Sequence, residues 1–87
     1  MGRVQAFQVA GCRCWFYSGD HAPPHFHAGV PDVWEIRVYF IQEPVQFEVI
    51  YQLRQIPRKK LKAIFARVVE HRVELFEEWD RHQSDNG

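Results

Sequence analysis

The stretch VWEIRVYFIQEPVQFEVIY, Val33–Tyr51, alternates apolar and polar residues on both sides of a Gln-Glu-Pro turn. In an extended chain successive side chains point to opposite faces. The first half therefore places Trp34, Ile36, Val38 and Phe40 on one face and Glu35, Arg37 and Tyr39 on the other. The second half predicts a paired strand with Val45, Phe47, Val49 and Tyr51 facing one way. A short turn between two such runs means antiparallel pairing. Upstream, RVQAFQVA (Arg3–Ala10) and CRCWFY (Cys12–Tyr17) predict a second hairpin around Gly11. Downstream the apolar period changes from two to the helical 3.6 at Leu61, Ile64, Phe65, Val68, Leu75, Phe76 and Trp79. Pro57 suits the first turn of that helix, where a missing N–H costs nothing. These patterns predict an α+β fold: an antiparallel four- or five-stranded meander with one long C-terminal helix on one face. The chain is expected to be a single domain, with strands over about 3–51, a helix over about 57–82 and a polar tail over 83–87.

Composition narrows the functional classes. With 87 residues there is room for one core only, and the 46% apolar and 15% aromatic content argues against disorder. Lys plus Arg and Asp plus Glu are both 11, so no global field favours nucleic acid or an anionic membrane. No apolar run approaches the roughly 20 residues of a membrane span, and the N-terminus lacks a signal-peptide core, which predicts a soluble cytoplasmic protein. Cys12 and Cys14 share one face of a strand at a spacing poorly suited to a disulfide. They are expected to be reduced packing residues, the alternative being a Cys-x-Cys metal pair. The one basic run, Arg54 with Arg58, Lys59, Lys60 and Lys62, is either a solvated helix face or a contact to a nucleic-acid backbone. The acidic second half of the same helix weakens the nucleic-acid alternative. It also gives the helix charge polarity that favours antiparallel self-association or a complementary partner.

Chemistry concentrates in GDHAPPHFHAG, Gly19–Gly29, which holds three of the five histidines. Pro23 and Pro24 keep the backbone extended and stiff. His25 and His27 then project to one face and Phe26 to the other, toward the core. Two imidazoles on one strand face suit a divalent transition metal such as zinc, with Asp20 or His21 supplying a further ligand. The same residues also suit metal-free acid–base work by His25 or His27, a partner-binding surface, or a hydrogen-bonded structural turn. On the helix, Arg72 falls near the middle of the apolar stripe and His71 at its edge. Arg72 must find a carboxylate or several acceptors, in a structural ion pair or at a site with Asp20 as partner. His71 either meets the histidine loop or faces water. The helix also outreaches its strands, an overhang that would suit a partner chain.

The two blocks DHAPPHFH (Asp20–His27) and IPRKKLKAIFARVVEHRVELFEEW (Ile56–Trp79) resemble a family of very small bacterial proteins known only as a domain of unknown function. The matching positions include Asp20, His21, Pro23, Pro24, His25, Phe26 and His27, then Pro57, Arg58, Leu61, His71, Arg72, Glu74, Leu75 and Trp79. The resemblance implies that the loop and the His71/Arg72 pair belong to one constellation. It also implies a protein partner, since such proteins resemble companions of small adjacent genes of toxin–antitoxin type. The expectation is an interaction or regulatory module with a homodimer or protein partner. Its alternative is a metal- or His-dependent phosphodiesterase or nuclease using His25, His27, His71 and Arg72.

Overall fold

The computed structural model describes residues 2–17, 19 and 21–86. Five strands, β1 (Gly2–Arg3), β2 (Arg13–Phe16), β3 (Phe26–Val30), β4 (Trp34–Tyr39) and β5 (Gln46–Gln52), form one antiparallel sheet in chain order, followed by α1 (Arg58–Asn86). The fold is α+β, as the change of apolar period predicts. β4 is the clearest case: Trp34, Ile36, Val38 and, just beyond it, Phe40 are buried, while Glu35, Arg37 and Tyr39 are half-buried on the reverse face. The core lies between the first of these faces and α1, where Phe16, Phe26, Ile36 and Val38 meet Ile64, Val68, Leu75 and Trp79. Between β3 and β4 the chain turns at Pro31–Val33 with Asp32 at φ 65°, a left-handed conformation that a short polar side chain tolerates. Gly29 is needed beside that turn, because a Cβ there would lie 2.2 Å from the Trp34 carbonyl oxygen.

Three expectations are corrected. Residues 4–10 do not extend the first strand: β1 is two residues long, pairing Gly2 with Phe16 and Arg3 with Trp15. The reason is Glu78, whose carboxylate accepts hydrogen bonds from the backbone N–H of Gln5 (2.7 Å) and Ala6 (2.8 Å). Beyond Val4, whose N–H still bonds the Cys14 carbonyl at 3.0 Å, that draws the segment off the ladder, and Val4, Phe7 and Val9 lie in the core. In β5 a bulge pairs Ile36 with Val49 and Glu35 with Tyr51, leaving Ile50 between them. Tyr51 therefore shares the face of Glu35 rather than that of Phe47 and Val49. The helix begins at Arg58, with the Pro57 carbonyl accepting from Lys60 and Leu61, and runs to Asn86, so most of the expected tail is helical. It is also interrupted: His71 has φ −122° and ψ 23°, outside helical values. The break contains no proline or glycine, and it falls where His71 packs on Phe7 and Arg72 bonds the Phe40 carbonyl.

The two flanks of α1 are held differently. Toward β1, Lys60 bonds the Ala10 carbonyl, His71 stacks near Phe7, Glu78 caps Gln5 and Ala6, and His82 lies on Phe16. Toward β5, the contacts are Phe65 against Phe47 and Arg72 with the turn after β4.

Candidate functional site

The sheet face opposite α1 is built by alternation. Register sets Trp15 opposite His27 and His27 opposite Arg37, so Trp15, His27 and Arg37 lie in one row across three strands. The same parity brings Arg13, Tyr17, Glu35 and Tyr39 to this face. Within it the His27 ring lies against Trp15 (centroids 5.8 Å apart, nearly parallel) and edge-on to Tyr17 (4.4 Å). His25 is 5.2 Å from His27 and sits between Tyr39 (5.7 Å) and the helix residue Trp79 (5.3 Å). Both histidines are buried, with 5% and 4% of their surface exposed.

Each imidazole is oriented through Nδ1. His25 donates from Nδ1 to the Pro23 carbonyl at 2.8 Å, since a carbonyl can only accept. His27 Nδ1 faces the Glu35 carboxylate at 3.2 Å. In the neutral rings the proton then sits on Nδ1 and the lone pair on Nε2, the tautomer that both metal ligation and general-base work use. Next to this pair the Tyr39 hydroxyl donates to Glu48 at 2.6 Å and Arg37 donates to the same oxygen at 2.8 Å. The bond from Tyr39, and then that from Arg37, hold the Glu48 carboxyl below its ordinary range. The hydrogen bond to Tyr39 and the Glu48 charge in turn raise the Arg37 guanidinium. At the other end of the face, Arg13, Trp15, Tyr17, Glu35 and Tyr51 border a shallow cavity of about 280 Å³.

The expected site residues do not all converge. His25 and His27 come together as their spacing predicts. His21 is exposed in the loop, and Asp20 lies outside the described residues. His71 faces Phe7 and bonds Glu74 at 3.0 Å, with Glu70 near its other nitrogen. Arg72 donates from Nε to the Phe40 carbonyl at 2.8 Å and pairs with Glu43, which makes it a brace for the turn between β4 and β5. The helix residue that reaches the histidines is instead Trp79. Among the described residues no three His, Cys, Asp or Glu side chains are grouped as metal ligands. The cysteines are free; burial pushes the Cys14 thiol up to about 12, with Cys12 adding to the shift, and burial also raises Cys12 against the opposing charge of Lys60. Arg54, Arg58, Lys59 and Lys62 are exposed, whereas Lys60 is turned to the Ala10 carbonyl. Sequence reasoning missed Trp15, Tyr17, Glu35, Tyr39 and Glu48 as neighbours of the histidines. The signal was the polar face of β4 together with a cross-strand register that no single strand reveals.

The family model described as "Domain of unknown function (DUF4160)" matches residues 11–80. The chain belongs to this family. The DUF4160 match spans β2 through Asp80, so it contains both histidines, their aromatic and acidic neighbours, and Trp79. No curated protein and no solved structure matches the chain. No helix among the described residues is long and apolar enough to cross a membrane.

Proposed function

We propose that this protein is an interaction module whose sheet face opposite α1 binds a partner protein, as one component of a two-protein unit of toxin–antitoxin type. The observation that carries this reading is the row of Trp15, His27 and Arg37 on the sheet face opposite α1, where buried Trp15 and His27 support an exposed Tyr17 and half-buried Arg37 and Tyr39. Trp, Tyr and Arg are the residues that dominate protein interfaces, because they bury much area with few rotamers to freeze. The histidines serve the face by fixing its shape: Nδ1 bonds to Pro23 and Glu35 hold the rings on which Trp15 and Tyr17 pack.

Calorimetric titration of the chain with the protein encoded beside it tests the reading. The expected result is saturable binding that weakens at least tenfold in Tyr17→Ala, a half-exposed position whose truncation leaves the core intact. Absence of binding contradicts the proposal. A second reading, His-dependent phosphodiester hydrolysis, is favoured by the Nδ1-protonated tautomer of His25 and His27. Their burial opposes it, because a substrate phosphate must reach Nε2. Turnover of a bis(4-nitrophenyl) phosphate substrate that disappears in His27→Gln would put this second reading first.

A further inference from the structure

β5 is an unprotected edge. All seven of its residues are exposed, and among the described residues it pairs with β4 alone. Edge strands usually avoid pairing by being short, by carrying charges (lysine above all) or proline, by a bulge, or by being covered. β1, at the opposite edge, is two residues long and meets the first of these conditions. β5 is seven residues long and contains neither lysine nor proline; its one charge, Glu48, is paired with Arg37 of β4, and its bulge lies toward one end. Phe47, Val49 and Ile50 are 38–44% exposed along the strand. Beside them the helix shows Val69, Val73 and Phe76, at 62%, 75% and 46%, on the flank that Phe65 and Arg72 turn toward β5 and its turn.

We infer that the β5 edge pairs antiparallel with β5 of a second copy, joining two sheets into one of ten strands. The area is of the right order. At roughly 150–250 Å² for an aromatic side chain and somewhat less for Val and Ile, these six residues expose on the order of 500 Å² before backbone and polar neighbours are added, against about 800 Å² per partner in a standard interface. Charge also fits a two-fold. An antiparallel strand pair requires an axis normal to the sheet, so the two helices run antiparallel on the same side. The basic start of one, with Arg58, Lys59 and Lys62 exposed, then lies on the side of the acidic end of the other, with Glu77 and Asp80 exposed. A register centred on Val49 sets Glu48 opposite Ile50 of the second copy, so no like charges face each other directly. The same axis places both histidine faces on one side of the joined sheet. The inference stands apart from the partner reading, since a monomer that still bound its neighbour through Tyr17 would overturn the dimer alone.

Sedimentation equilibrium of the full chain tests it. The expected result is a mass twice that of the 10.4 kDa chain at tens of micromolar. Val49→Lys sets two lysines face to face, and Ile50→Glu sets glutamates against Glu48 of the second copy; each raises the dissociation constant at least tenfold while far-UV circular dichroism stays native. Arg3→Glu, on the opposite edge, leaves the dimer unchanged. A wild-type protein that remains at the single-chain mass at several hundred micromolar overturns the inference. So does a dimer that persists in both folded β5 variants or is lost in Arg3→Glu.

Discussion

The two flanks of one helix meet the two edges of one sheet on different terms. Toward β1, buried Glu78 binds two backbone N–H groups, and Phe7 lies edge-on to Phe26 and beside His71. Toward β5, an exposed strand meets the helix through Phe47 against Phe65, and Arg72 braces the preceding turn. The difference teaches that the stability of this fold is concentrated on one side. The other side keeps apolar surface and ladder groups available, which is what the inferred β5 pairing would use.

Substitutions can break that comparison. The largest effect is expected at Glu78, where Glu78→Ala leaves two part-buried N–H groups without their acceptor. It should cost about 3 kcal/mol in urea unfolding. A cost under about 1 kcal/mol would mean that the β1 flank is not the anchored one. Next comes Arg72→Ala, which removes the bond to Phe40 and leaves the half-exposed pair with Glu43 broken. About 1.5 kcal/mol is expected, and a loss equal to that of Glu78→Ala would erase the contrast. Val73→Ser, at an exposed helix position, should change monomer stability by less than about 0.5 kcal/mol.

Acid sharpens the comparison further, because the β5 side carries a titrating link. Glu48 has its folded pKa lowered, so its contribution is present above the unfolded value near 4.5 and is lost as pH falls through the lower folded value. A unfolding series between pH 6 and pH 3 should show this small contribution vanishing, and Glu48→Gln should lack it. An identical acid slope in wild type and variant would remove Glu48 from the account. At the opposite end of the scale, Cys14 should resist alkylation at pH 8, since a thiol raised to about 12 holds almost no thiolate there. Rapid modification of folded protein at Cys14 would show that the β1 side is less closed than its packing implies.

Much of this architecture is legible in local pattern. The alternation of Trp34 to Phe40 and the helical spacing of Ile64, Val68, Leu75 and Trp79 place the core, since burial follows period directly. His25 and His27 share a face for the same reason. What local pattern misses is decided by partners distant in the chain. Glu78 lies 73 residues beyond Gln5, yet it takes the N–H groups that a strand would have used. The bulge at Ile50 reverses Tyr51, and a bulge is a property of two strands rather than one. Glu35 and Trp15 join the histidines only once the register is known, and Arg72 finds Phe40 and Glu43 through the turn that they close.

The most direct measurement is amide hydrogen exchange followed as protein concentration is raised from about one to several hundred micromolar. The account predicts that protection grows across Gln46–Gln52 while Gly2–Arg3 and the segment after it stay constant. Exchange in β5 that does not change with concentration, or protection that rises equally at both edges, would contradict it.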